Sequence, residues 1–360
     1  MTKGGAVGTT ERGLRAYIGS FTTAGGAGLT TAAVDPGTGA LTPLHATAEL
    51  PNPSFLAPSP DGRHLYAVSE TADGAAAAFA LTPEGPEPLG PPVPVGGADP
   101  THLALISGHL VTAHYTSGSI SALPVRPDGT LGGPAAVLRH EGNGPRADRQ
   151  EGPHAHAVRA DPSGRWLLSV DLGTDSVRCC ALDPASGTPL VHAEVPLRPG
   201  SGPRHIAFHP SGGFAYVINE LAPTVTVCRW DAAGGTLTPL GETGLLPDDA
   251  VPAASGAAES FPSALVVSRD GRFAWAANRG HDSISVLALD PSDGGATLAG
   301  TVPCGGHWPR DLALHPGGRH LYAANERSGD VTWFTVDPET GLPVRAGSLA
   351  AAAVSCVVFA

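Results

Sequence analysis

One six-residue segment recurs seven times along this chain, and no other feature restricts its fold as tightly. The copies are AYIGSF from Ala16, LYAVSE from Leu65, LVTAHY from Leu110, LLSVDL from Leu167, AYVINE from Ala215, AWAANR from Ala274 and LYAANE from Leu321. Successive starts lie 49, 45, 57, 48, 59 and 47 residues apart. Spacings of this size suit a blade of four short strands and exceed the period of most helical repeats. Each copy after the first follows another apolar strand and a glycine turn: NPSFLAPSPDGR, DPTHLALISGH, HAHAVRADPSGR, GPRHIAFHPSGG, FPSALVVSRDGR and WPRDLALHPGGR. Asp-Gly and Ser-Gly between apolar runs mark hairpins, because glycine takes positive φ without a Cβ clash. After most copies comes an alternating strand such as SISVLALD or DVTWFTVD, then a DPxTG-type turn and a fourth short strand.

The first copy lacks its preceding strand, and a matching one, Val354-Ser355-Cys356-Val357-Val358-Phe359-Ala360, stands at the other end of the chain. The expected fold is therefore all-β: a single seven-bladed β-propeller over 1–360, built of four-stranded antiparallel blades. Its ring is closed by the C-terminal strand pairing with the N-terminal blade, and 1–14 is expected to be a flexible tail. Closure removes two open sheet edges that would otherwise invite aggregation. A length of 360 residues on its own suggests two domains, but repeat architectures grow by adding units and escape that limit. The 48 glycines and 36 prolines fit many short elements joined by turns.

A net charge of −12, with no Lys/Arg run to offset it locally, excludes nucleic acid and anionic membrane as partners. The cysteines at 179, 180, 228, 304 and 356 form no CxxC, so they read as reduced thiols in a reducing compartment. The start, MTKGGAVGTTERGLRAYIG, lacks a signal peptide's apolar stretch. The longest apolar run, LAAAAVSCVVFA, is too short to cross a bilayer. The expectation is a cytoplasmic monomer or weak homodimer.

In a blade of this kind the strand middles pack between blades, and strand ends are left to line the channel and its rims. Counting outward from each turn glycine pairs Arg204 with Glu220, Ser54 with Glu70, Ser263 with Arg279, Arg310 with Glu326, His156 with Leu172, and Thr101 with Tyr115. Symmetric turns would set these pairs directly opposite one another, on one face. One rim then collects Glu70, Tyr115, His156, Arg204, Glu220, Arg279, Arg310 and Glu326. His154, His140 and Arg149 lie close by, on or beside the long segment 139–155. A second long segment, 244–262, is also a candidate for function, since long loops on rigid scaffolds commonly carry it. Arginine forks hold carboxylate or phosphate in fixed geometry, so the expected ligand is a small anionic lactone or carboxylate. A recurring Glu at this position could equally form salt bridges between blades. The pair His154 and His156 shares a strand face, as a metal site would require, but no third ligand stands at clear spacing and no metal is expected. His64, His209, His315 and His320 fall at the opposite hairpin ends, where surface residues are expected. Neither a G-x-S-x-G elbow nor a phosphate or dinucleotide loop appears in a credible context, so no cofactor is expected.

The sequence resembles the seven-bladed propeller lactonase family, of the 6-phosphogluconolactonase and carboxymuconate cyclase type. The resemblance runs from YIGSFT (17–22) to NERSGDVTWF (325–334). It rests on NPSFLAPSPDGRHLYAVSE (52–70), HYTSGSISALPVRPDG (114–129), RQEGPHAHAV (149–158), GPRHIAFHPSGGFAYVINE (202–220) and ANRGHDSISV (277–286). It implies a catalytic group of His156, Arg204, Glu220 and Arg279. Glu70, Tyr115, His114, His154, Arg310 and Glu326 are the expected substrate contacts. His114 departs from the family, which usually has Asn before Tyr115. The resemblance implies hydrolysis of a sugar lactone such as 6-phosphogluconolactone, with His156 or Glu220 as general base. The alternatives are a cyclase acting on a muconate-like dicarboxylate and a non-catalytic propeller that binds a ligand or protein.

Overall fold

The computed structural model describes residues 13–133, 136–184, 186–247 and 259–360. They form seven antiparallel sheets arranged as blades, each of four strands except the second. There the outer strand is split into Pro86–Pro88 and Val93–Pro94, both paired with Ala75–Leu81. The recurring segment is the second strand of every blade: Arg15–Ser20, His64–Ser69, His109–His114, Leu167–Asp171, Phe214–Asn219, Phe273–Arg279 and His320–Asn325. The strand Val354–Phe359 pairs antiparallel with Arg15–Ser20 and supplies the inner edge of the first blade. The expected closure is thus the observed one. Residues 1–12 of the expected tail lie outside the described residues. Leu14 does not belong to a tail, because its carbonyl accepts the Val34 N–H at 3.3 Å and its side chain packs on the first blade.

The core lies between blades. Trp166, Leu168 and Val170 of the fourth blade, for example, bury against Ile206, Val217 and Trp230 of the fifth. Polar tips in these layers reach the next blade: Trp166 Nε1 donates to the Ala232 carbonyl at 2.9 Å, and Tyr322 Oη to the Gly39 carbonyl at 2.7 Å. Trp275 Nε1 likewise donates to the Gly341 carbonyl at 2.8 Å. Gly341 has φ +71, and a Cβ there would stand 2.6 Å from the Phe273 ring. Left-handed strain in a non-glycine residue costs about 1–3 kcal/mol, and the ring contact adds to it. Gly341→Ala should therefore lower stability by about 2 kcal/mol, read as a fall in the urea unfolding midpoint. At the same opposite rim His209 and His320 are buried, not surface residues. His209 Nε2 lies 3.0 Å from the Gly271 carbonyl of the next blade, so it joins blades.

The inner strands carry a feature that the glycine count misses. Opposite the end of each second strand the register slips by one residue, a β-bulge. The extra residues are Ser355, Thr101, His156, Arg204 and Arg310, with Ser263 and Ala264 together facing Ala277 in the sixth blade. Ser54 holds the same place, since Val68 N–H donates to the Phe55 carbonyl while Glu70 N–H donates to Asn52. The symmetric pairs are corrected accordingly: Glu220 N–H bonds Gly202, Tyr115 bonds Asp99, Leu172 bonds His154 and Glu326 bonds Trp308. Bulges re-aim side chains and are enriched beside active sites. Three of the bulge residues also bond a neighbouring inner strand. Thr101 Oγ1 donates to the His156 carbonyl at 3.0 Å, Arg204 Nη1 to the Ser263 carbonyl, and Ser263 Oγ to the Pro309 carbonyl at 2.6 Å.

Candidate active site

Four expected residues meet on one carboxylate. Glu220 Oε2 lies 3.1 Å from Arg204 Nε, 2.7 Å from Arg279 Nη2 and 4.0 Å from His156 Nε2. Its Oε1 accepts from Arg149 Nη2 at 2.6 Å. His156 and Arg204 come from bulges, Glu220 follows a second strand, Arg279 ends one, and Arg149 reaches in from the segment 139–155. Burial by itself would raise the Glu220 carboxyl, but Arg279, Arg204, His156 and Arg149 outweigh it and hold it far below the ordinary carboxylate range. Burial, and then repulsion from Arg279, pulls Arg204 down to about 9 against the attraction of Glu220. It stays charged at neutral pH. Burial, followed by the Arg204 charge, keeps His156 neutral to well below the ordinary histidine range. Its Nδ1 is buried with no hydrogen-bond partner among the described residues. Three guanidinium groups on one carboxylate leave a surplus of two positive charges around this imidazole.

The other expected contacts divide. Tyr115 stacks on His154 at 4.5 Å and meets the His156 ring edge-on at 5.5 Å. Its hydroxyl accepts from Arg149 Nη2 at 3.3 Å. His154 Nδ1 lies 3.0 Å from the Tyr115 carbonyl, and its Nε2 3.4 Å from Glu151. Glu70 and Glu326 both pair with Arg310, at 3.4 and 3.2 Å; the first is a salt bridge between blades and the second lies within the seventh blade. Among the described residues no group of three or more His, Cys, Asp or Glu side chains is placed to hold a metal.

His114 is not at the mouth. It is fully buried inside the third blade, with Nδ1 3.0 Å from Ser119 Oγ and Nε2 2.8 Å from Thr112 Oγ1. Burial pushes it down to about 3, so it carries no charge at neutral pH. The same position holds Asn219, Asn278 and Asn325, whose amides bind hydroxyls of the third strand. The departure from Asn is thus a change of internal brace. In the fourth blade this position is Asp171, which accepts the His154 N–H at 2.9 Å and grips His140 Nδ1 at 2.6 Å. His140 is therefore buried away from the opening and supports the segment that carries His154.

Two aromatic residues at the mouth were not among the expected contacts. Phe21 lies under Arg310, whose Cζ is 4.8 Å from its ring. Trp308 holds Arg327 at 3.4 Å and Arg279 at 5.6 Å from its ring centroid. It takes φ +65, a conformation given at the same slot to Asn52, Asp99 and Gly202. A bulky residue in this region is an outlier, and a Trp in the slot where Asn52, Asp99, Gly202 and Ala353 take positive φ was the signal available in the sequence. Residues 248–258 of the long segment 244–262 lie outside the described residues.

Known proteins share this arrangement of blades. The family model described as "Lactonase, 7-bladed beta-propeller" matches residues 15–359. The 6-phosphogluconolactonase of Bacillus subtilis is 33% identical over 306 residues, covering 83% of this chain and 84% of that protein. The structure of a periplasmic gluconolactonase from Pseudomonas aeruginosa superimposes with a TM-score of 0.88 at 30% identity, over 96% of this chain and 98% of that one. A solved structure from Bacteroides fragilis gives a TM-score of 0.89 at 30% identity, over 99% of this chain and 100% of that one. No helix among the described residues is long and apolar enough to cross a membrane. The chain belongs to the lactonase family of seven-bladed β-propellers and is an enzyme of that family.

Proposed function

We propose that the protein hydrolyses a phosphorylated sugar lactone, 6-phosphogluconolactone being the substrate that best fits its mouth. The observation that carries this reading is the neutral His156 set among Arg149, Arg204 and Arg279, which share one carboxylate. Such a site supplies a base next to excess positive charge. His156 takes a proton from water as the water oxygen attacks the ring carbonyl. The carbonyl oxygen becomes an oxyanion facing Arg204 and Arg279. The ring C–O bond then breaks, and the His156 imidazolium returns its proton to the departing alkoxide. Glu220 is unsuited to be the base, because a carboxylate held so acidic takes up no proton near neutral pH. Its part is to hold the arginines and to stabilise the imidazolium. Arg149, whose side chain is 29% exposed, is the cation best placed to meet the phosphate. Glu70 and Glu326, on the acidic side of the mouth, accept from sugar hydroxyls.

Because the His156 base is neutral to well below 6.5, kcat/KM should stay nearly level from pH 8 to 6.5 and fall only in more acid solution. A base with the unperturbed histidine value of about 6.5 would already have lost about half its rate at pH 6.5. Initial rates corrected for spontaneous hydrolysis distinguish the two. The reading itself is tested by offering the purified protein 6-phosphogluconolactone, gluconolactone and a muconate-like dicarboxylate. Fastest opening of the phosphorylated lactone supports it. Closure of the dicarboxylate alone would make the protein a cyclase, and turnover of none of them would leave a ligand-binding propeller.

A further inference from the structure

Beyond the ring of bulges the channel contains a second cavity of about 290 Å³. Its walls come from the inner segments of six blades and include Phe55, His102, Arg159, His205, Leu265 and Leu312. Arg159 stands three residues beyond His156 on the strand Ala155–Ala160, about 10 Å further from the mouth at the usual strand rise. Arg204, with Nη1 3.1 Å from His205 Nε2, joins the two levels.

Arg159 and His102 bring polar groups to the wall of this cavity. Arg159 reaches it with no hydrogen-bond or ion-pair partner among the described residues. At the mouth Arg149, Arg204 and Arg279 share Glu220, and Arg310 pairs with Glu70 and Glu326. Arg159 is an exposed residue of this wall, so its guanidinium, with no counter-charge among the described residues, is open to an anion that enters the cavity. His102 is only 5% exposed, and its Nδ1, shut off from solvent, has no hydrogen-bond partner among the described residues. Burial, then the charges of Arg159 and Arg204, keep this imidazole neutral. The His102 ring stacks on Phe55 at 3.9 Å and meets His205 edge-on at 5.1 Å, giving a flat wall beside the guanidinium.

We propose that this cavity is a second binding site, for a small organic anion that carries a carboxylate on a flat apolar body. The carboxylate lies on the Arg159 fork and within reach of His102, and the body lies against Phe55 and Leu265. Ligand pockets commonly run from about 300 to 1,000 Å³, so the volume here is enough for a small single-ring molecule. Asp311 is the carboxylate on the wall; its Oδ2 accepts the Val357 N–H at 3.1 Å. Burial pushes its carboxyl up to about 6, so it still opposes an anion at neutral pH.

Benzoate, titrated calorimetrically into the whole protein with benzyl alcohol as its uncharged counterpart, tests the proposal. Benzoate should bind one to one, and the alcohol at least tenfold more weakly. Arg159→Gln should weaken benzoate at least tenfold while lactone kcat/KM stays within twofold of the parent, which also reports an intact fold. Asp311→Asn should tighten benzoate severalfold by removing the opposing charge. The proposal is overturned if benzoate fails to bind, or binds Arg159→Gln as well as the parent. It is equally overturned if Arg279→Gln, at the mouth, abolishes binding and Arg159→Gln does not. None of these outcomes depends on which lactone is turned over.

Discussion

Glu220→Gln should lower lactone kcat/KM by at least about 10²-fold, the scale of losing one electrostatic group at a reacting centre. It should also cost about 3–5 kcal/mol of stability, because removing one partner of a buried ionic group leaves the others uncompensated. Arg204, Arg279 and Arg149 would then face one another around a neutral amide. The stability loss should depend on pH with a definite sign. The native Glu220 carboxyl lies below its ordinary value of 4.5, so its contribution is complete above that value and is lost as pH falls below it. Urea unfolding of the parent and Glu220→Gln should thus differ fully from pH 5 to 8 and converge in stronger acid. An equal difference at pH 3 and pH 7 would show that the carboxylate charge is not what holds the cluster.

His156→Ala and Arg204→Ala should each lower kcat/KM by about 10²–10³-fold, the range for one acid–base or oxyanion group. They should differ in what survives. Without His156 the remaining rate should lose its acid limb and rise with hydroxide. Without Arg204 the acid limb should persist at a lower height, because the base is still present. His156 is nearly fully buried, so a melting curve close to that of the parent is the necessary control. Parent-level turnover in either variant would remove that residue from the mechanism.

The architecture was legible because the information is local and repeated. An apolar strand, a glycine turn and a second strand recur at blade spacing, and the missing first strand is found at Val354–Phe359. The membership of the mouth was legible for a related reason: strand ends cannot pack between blades. The register was not. A bulge is decided by which backbone N–H meets which carbonyl, and no residue type announces it: Ser, Thr, His and Arg all occupy the extra position. Counting from Gly212 therefore sets Arg204 opposite Glu220, whereas Glu220 bonds Gly202 and the two meet only through their side chains. His114 misled for a different reason. A histidine beside a mouth residue is indistinguishable in sequence from one turned inward, and only the Thr112, Ser119 and Ser121 hydroxyls around it identify it as a brace. Trp308 was overlooked because its importance lies in a left-handed backbone that sequence shows only by comparison with Asn52, Asp99 and Gly202.

The repeated bulge makes the channel a set of interchangeable sockets. Each blade pushes one side chain inward at the same height while its ladder on either side stays regular. A substitution at Ser54, Thr101 or Ser355 would place a new group at the bulge level of its blade without redesigning a sheet. Chemistry on this scaffold can therefore drift one codon at a time, while the side-chain-to-carbonyl bonds from Thr101 and Ser263 tie together the inner strands they join.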